Sequence, residues 1–326
     1  MKKPINILSF IINMKIYKYT SLKSALSIIE SNGVILNSPQ TFNDIYDCVF
    51  KQDEKDKVRI RKLLKDFAVL LILSELANTE QIQDSGVVKF VKFQLSVLRK
   101  ALKKHPFYTG SPGLVTIYNQ IIKRDPKIKE ECEKAFNAYQ KKMDDGIEDA
   151  KENVIISCFS KRRDSLLMWS HYADSHRGIC IEYNKPALDE FYDVRYDNKR
   201  PSIKLYKAVT YALAQHIIGN KKLEDADFNK FSDMVTPFIT KSLDWEYERE
   251  VRCVFSKNDH GKHNIELIDD NKFLFHMDNP SSIYIGCRCD NSDELDKLIN
   301  LASEKGIRII RMRPSDDRFV VEEVVD

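Results

Sequence analysis

The chain has 326 residues, 43% of them hydrophobic and 31% charged, a balance that excludes a disordered polymer and leaves room for one large domain or two small ones. Its 52 basic side chains nearly cancel 49 acidic ones, so the net charge of +3 supplies no global basic field for nucleic acid. Seven scattered cysteines, none at zinc-knuckle or C-x-x-C spacing, point to reduced thiols in a cytoplasmic protein.

The apolar run Ile7 to Ile12 imitates the start of a signal peptide, but Asn13 ends it and no small-residue cleavage site follows. Residues 1–14 are therefore read as a dispensable extension. Lys15 to Tyr19 has the alternation and the β-branched and aromatic content of a strand, Ser21 caps a helix through Ile29, and Asn32-Gly33 ends it. Val34 to Leu36 makes a second short strand, with the loop Ser38 to Asp44 after it.

Residues 53–150 carry helical periodicity, from Val58 through Leu71, Val88 through Leu98 and Cys132 through Tyr139. Pro106, the Gly110-Ser111-Pro112-Gly113 stretch and Pro126 punctuate them. Enough apolar residues are present for an all-helical insertion with a core of its own. The run from Phe67 to Leu76 is too short for a bilayer of ~30 Å, so no membrane partner is expected.

Strand character resumes at Val154 to Phe159, followed by a helix through Leu166, Trp169 and Tyr172 that Asp164 can cap, and by the strand Gly178 to Tyr183. Further strands are expected at Ala208 to Tyr211, Glu248 to Phe255, Ile283 to Gly286, Ile307 to Arg311 and Phe319 to Val325. Helices are expected over Asp227 to Leu243 and Ser292 to Glu304. This irregular order predicts an α+β core domain made of 15–52 and 151–326, interrupted by the helical insertion at 53–150.

The segment Trp245 to Arg252 carries the densest chemistry. Read as a strand, it puts Glu246, Glu248, Glu250 and Arg252 on one face and Tyr247, Val251 and Cys253 on the other. Three carboxylates sharing a surface repel unless a cation, or a substrate developing positive charge, compensates them. The plainer reading is a solvated face paired with Arg249 and Arg252. His171, Asp174 and His176 lack the spacing of H-E-x-x-H and read as structural.

Four segments together resemble a bacterial domain of unknown function, number 2971. They are Tyr17 to Ser21, Phe42-Asn43-Asp44 with Asp47, Cys158-Phe159-Ser160 with Met168 to Ile179, and Trp245 to Arg252. The order of residues also resembles the ADP-ribosyltransferase fold: a basic residue beside Tyr on the first strand, a Ser strand, and a Glu-x-Glu strand. Lys18 matches the basic residue, Ser157 or Ser160 the serine, and Glu248-Arg249-Glu250 the acidic strand.

That second resemblance implies a split mixed sheet, NAD as the cofactor consumed, and transfer of ADP-ribose to a macromolecule or hydrolysis of NAD. A toxin or phage-defence effector is the implied setting. Glu250 would act at the ribose and Glu248 would position the acceptor. Lys18 and Arg177 would contact the pyrophosphate, and Tyr172 or Trp169 would stack on a ring of the cofactor, with Tyr19 and Ser160 beside them. Two other classes stay open. A carboxylate-metal nuclease or hydrolase requires Asp44, Asp47 and Glu250 to converge, although no metal is expected. A non-catalytic recognition module, in which the helical region binds a partner, requires Glu248 and Glu250 to be paired with Arg249, Arg252 or another basic residue and to face no cleft.

Overall fold

The computed structural model describes residues 14–49, 51–78, 85–104, 119, 122–123, 126–186, 190–219, 235–269 and 272–324. Nearly all of the expected N-terminal extension and the Pro106 to Gly113 punctuation lie outside the described residues. In chain order the strands are β1 (Lys15–Thr20), β2 (Gly33–Leu36), β3 (Lys51–Gln52), β4 (Val154–Ser160), β5 (Ile179–Asn184), β6 (Phe191–Asp193), β7 (Arg195–Tyr196) and β8 (Ser202–Ile203). They continue as β9 (Thr240–Lys241), β10 (Glu250–Ser256), β11 (Ile265–Asp269), β12 (Lys272–His276), β13 (Ser282–Ile285), β14 (Arg308–Pro314) and β15 (Val321–Glu323). The α-helices are α1 (Leu22–Ser31), α2 (Glu54–Asn78), α3 (Ser85–Lys104), α4 (Pro126–Glu152), α5 (Leu166–Tyr172), α6 (Tyr206–Ile218) and α7 (Asp293–Glu304). The fold is mixed α+β, and the described residues form two units.

The first unit takes the described residues within 1–49, 152–200 and 238–326. Its main sheet has the order β15-β14-β13-β5-β1-β4-β10-β6, antiparallel throughout except for the β13–β14 pair. Alternation sorts the sheet into two dissimilar faces. Ile16, Ile155, Phe159, Ile181, Val251 and Cys253 point to a core closed by α1, α7 and the β11-β12-β2 sheet. Tyr17, Tyr19, Cys180 and Tyr284 point the other way, against Met168, Trp169 and Ala173 of and beyond α5. Ser21 caps α1 through the Ser24 N–H, and Asn32 ends it at a left-handed φ of 50°, as its sequence suggests.

One seam of this sheet is open. β1 pairs with β5 at six positions and β4 with β10 at seven, but β1 and β4 are paired only at Tyr17 and Ser160. The Lys18 ammonium crosses the gap instead, donating to Ser157 Oγ at 2.9 Å and to the Cys158 carbonyl at 3.0 Å.

The second unit takes the described residues within 50–151 and 201–237, and thus adds to the expected insertion a segment that the sequence assigns to the core. Leu70, Leu73, Val91, Leu95, Leu98, Ile128 and Ala214 build its core from α2, α3, α4 and α6. Asp56 of α2 caps α6, accepting the Leu205 and Tyr206 N–H groups at 2.6 and 3.0 Å.

Three expected elements are corrected. Ala208 to Tyr211 lies inside α6, because Ala208, Val209, Ala212 and Leu213 bury at helical spacing and Gly219 ends the helix at φ 81°. Of the expected helix at Asp227 to Leu243, residues 227–234 lie outside the described set, and the remainder is the 3-10 turn Thr236–Ile239 followed by β9. The expected acidic strand is a 3-10 helix over Leu243–Glu248, and β10 begins only after Arg249 turns at φ 47°.

Gly178 sits where the turn after α5 passes under β1: a Cβ there would lie 2.2 Å from the Thr20 carbonyl oxygen. Asp174, Ser175 and His176, all with positive φ, lead into it. Gly178→Ala should lower the unfolding free energy of the first unit by about 2–4 kcal/mol in urea titration. Gly146→Ala, in α4 with open space around its Cβ, should instead stabilise by about 0.5–1 kcal/mol. Equal effects of the two substitutions would contradict this packing.

Candidate active site

Arg252 is the most completely enclosed ion among the described residues of the first unit, at 0% exposure in the middle of β10. All five guanidinium hydrogens find acceptors. Nε donates to Glu250 Oε1 at 2.8 Å, and Nη2 to Glu250 Oε2 at 3.0 Å and Asp47 Oδ2 at 2.6 Å. Nη1 donates to Asp47 Oδ1 and to the Phe238 carbonyl, both at 2.8 Å. Two forked carboxylate contacts on one guanidinium are the geometry that arginine provides and lysine does not. They tie the loop at 42–49 to the start of β10.

Lys241, in β9, is the second buried cation. Its ammonium lies 2.5 Å from Glu248 Oε2, 3.4 Å from Glu250 Oε2 and 3.7 Å from Asp47 Oδ2. Burial disfavours its charge, but the two glutamates outweigh burial and push its pKa up. Three carboxylates against two cations leave one negative charge in excess. Burial works against the ionised form of Glu250 as well, yet Arg252 and Lys241 hold its carboxyl down at about 2. Glu248 goes the other way: burial raises its pKa, and Lys241 only partly opposes the rise. The excess charge therefore belongs to Glu248.

Glu248 is placed by its neighbours rather than by a strand. The Tyr172 hydroxyl, at the end of α5, donates to Glu248 Oε1 at 2.5 Å, and Ser160 Oγ donates to the Glu248 carbonyl at 2.6 Å. Glu250 accepts nothing from Tyr172; its own backbone N–H donates to the Tyr196 hydroxyl at 2.8 Å.

These groups face a cavity of about 430 Å³ at the open β1–β4 seam, within the ~300–1,000 Å³ range of small-molecule sites. Lys18, Tyr19, Ser160, Tyr172, Glu248 and Glu250 line it, so the structure brings six of the eight expected site residues together. Trp169 and Arg177 are the other two. Trp169 is fully buried, donates its indole N–H to the Arg163 carbonyl at 2.8 Å and packs edge-on against Tyr19 at 5.3 Å, beneath the site rather than on its wall. Arg177 is exposed in the turn after α5 and does not line the cavity.

The acidic face is corrected as well. Glu246 is exposed on the 3-10 helix and takes no part, because the Arg249 turn separates 246–248 from the β10 alternation. His171 and His176 do not form a cluster either: His171 Nδ1 meets the Tyr247 hydroxyl at 2.9 Å, and His176 Nε2 meets Ser170 Oγ at 3.0 Å. Asp47 does meet Glu250, but around Arg252, and Asp44 is outside the cavity wall. The carboxylates that a metal ion would use are thus already engaged by a guanidinium and an ammonium.

The residues that the sequence did not single out are Lys241 and Tyr196. Each lies on a two-residue strand, too short to leave a periodic signal.

Residues 168–253 match a family model described as "Protein of unknown function (DUF2971)". The matched span runs from α5 into β10 and contains Tyr172, Lys241, Glu248, Glu250 and Arg252. No curated protein and no solved structure matches the chain. Among the described residues no helix is long and apolar enough to cross a membrane.

The two glutamates should separate in stability measurements. Glu250→Gln breaks a buried pair from one side and should cost about 3–5 kcal/mol, whereas Glu248→Gln removes the excess buried charge and should be neutral or stabilising. Acid titration gives the sign. With its folded pKa near 2 against an unfolded value of ~4.3, Glu250 stabilises fully above the unfolded value, and that share is lost as pH falls from about 5 towards 2. Glu248, raised on folding, contributes in the opposite sense and is relieved by acid. Urea unfolding between pH 7 and 2.5 should therefore show a steeper acid loss in Glu248→Gln than in Glu250→Gln. The reverse order would contradict the assignment.

Proposed function

We propose that the cavity binds NAD by its nicotinamide half and cleaves the bond between nicotinamide and ribose, with Glu248 as the working carboxylate. The observation that carries this reading is the pairing of an excess, tyrosine-bound carboxylate at Glu248 with the Lys18 ammonium in one aromatic-lined cavity. Heterolysis of the C1′–N bond sends the electron pair to the nicotinamide ring, which leaves neutral, and puts positive charge on the ribose. A preorganised carboxylate stabilises that charge. Water or a macromolecular acceptor then adds at C1′ and releases a proton.

The resemblance of residue order to the ADP-ribosyltransferase fold gives Glu250 this role. Its bonds to Arg252 favour a structural role for it instead, holding Glu248 and Asp47 in register. Lys18 donates to two protein acceptors, has no carboxylate within salt-bridge distance among the described residues, and retains a third ammonium hydrogen for a phosphate oxygen. Tyr19, Tyr172 and Phe42 supply apolar ring surface around the nicotinamide. Transfer to a macromolecule would suit a toxin or phage-defence effector, and hydrolysis needs no second partner.

A second reading is favoured by one fact: Glu248 and Glu250 are both partnered by Lys241. On that reading the cavity recognises a ligand without turning it over.

Purified protein incubated with NAD, with and without candidate acceptors, should release nicotinamide. Glu248→Gln should slow release at least about 100-fold, and Tyr172→Phe about tenfold. Binding of NAD without release in the wild type would select the recognition reading, and neither binding nor release would overturn both.

A further inference from the structure

Beside the cavity wall lies a short row of rings that the chemistry above does not use. His171 lines the cavity, its ring centroid is 5.8 Å from that of Tyr247, and Tyr247 is 6.1 Å from Trp245 at an interplanar angle of 37°. The His171–Tyr247 hydrogen bond fixes the first pair. Beneath the last ring, the Lys241 ammonium lies 4.7 Å from the Trp245 centroid. Trp245 and Tyr247 are half-buried and His171 is exposed, so all three keep surface in solvent.

Volume gives the row a purpose. A dinucleotide has two base-ribose-phosphate halves, and about 430 Å³ lies near the lower end of the ~300–1,000 Å³ range of small-molecule sites, which suits one half better than two. The other half would then reach beyond the cavity wall, where His171 and Lys241 adjoin Tyr247 and Trp245. Lys241 draws electron density from the Trp245 ring, which favours stacking by an electron-rich heterocycle.

We infer that Trp245, with Tyr247 and His171, forms a stacking subsite for the adenine base of the dinucleotide, so that the 3-10 helix at Leu243–Glu248 carries the binding platform at one end and the working carboxylate at the other. This inference rests on the dinucleotide reading of the cavity. It makes Trp245 a specificity-determining residue that separates dinucleotides from mononucleotides.

Intrinsic fluorescence reads it directly. The chain has two tryptophans, and Trp169 is fully buried beneath the site, so quenching that is present in the wild type and lost in Trp245→Leu reports Trp245. NAD and AMP should quench the emission, while nicotinamide mononucleotide should bind with less quenching. NAD should bind roughly tenfold to a hundredfold more tightly than the mononucleotide. Trp245→Leu should collapse that ratio towards one, and Trp245→Phe should restore most of it.

Full discrimination by Trp245→Leu would overturn the subsite and leave the cavity reading intact. Absence of binding by both nicotinamide ligands would overturn the two together. Quenching by single-stranded oligonucleotide but not by NAD would overturn the dinucleotide assignment of the platform.

Discussion

A guanidinium without access to water must be neutralised and have its donors satisfied, and Arg252 meets both demands through Asp47 and Glu250. The rest of the site follows from that constraint. Asp47 belongs to a loop, Glu250 to the first residue of β10, and the Phe238 carbonyl to the approach to β9. One side chain therefore fixes three segments that local hydrogen bonding alone would leave independent. An apolar residue of similar volume could in principle stabilise the fold as well; a buried ion network of this kind instead specifies one arrangement.

The charge count then determines which carboxylate is left incompletely compensated. Glu250 is consumed by Arg252, and Asp47 likewise. Lys241 is shared among all three acids, so the last of them, Glu248, stays incompletely compensated while Tyr172 and Ser160 hold it at the cavity wall. The open seam between β1 and β4 is the other half of the arrangement. Full pairing there would place backbone where the cavity lies, and Lys18 bridges the strands while keeping a charge at the gap.

Much of this was legible in the residues. The alternation in Ile16 to Tyr19, the cap at Ser21, the stop at Asn32 and the apolar strands 154–159 and 251–255 depend on local rules, and the structure follows them. Six of the eight expected site residues share the cavity for the same reason, since each lies on or next to such an element. The failures were non-local. Arg249 takes a left-handed turn without glycine, which no periodicity announces, and so Glu246 leaves the acidic face. Trp169 is at helical spacing, but its indole N–H is satisfied within the fold rather than by a ligand. Lys241 enters only through its distance to acids seven and nine residues away and to Asp47, nearly two hundred residues earlier.

The forked geometry at Arg252 is the central constraint, and Arg252→Lys tests it most directly, because the charge is retained and the fork is lost. If two bidentate contacts organise the site, urea unfolding of Arg252→Lys should show a loss of about 3–5 kcal/mol relative to wild type. Stability within about 0.5 kcal/mol of wild type would mean that any buried cation suffices and would contradict the central role given to Arg252.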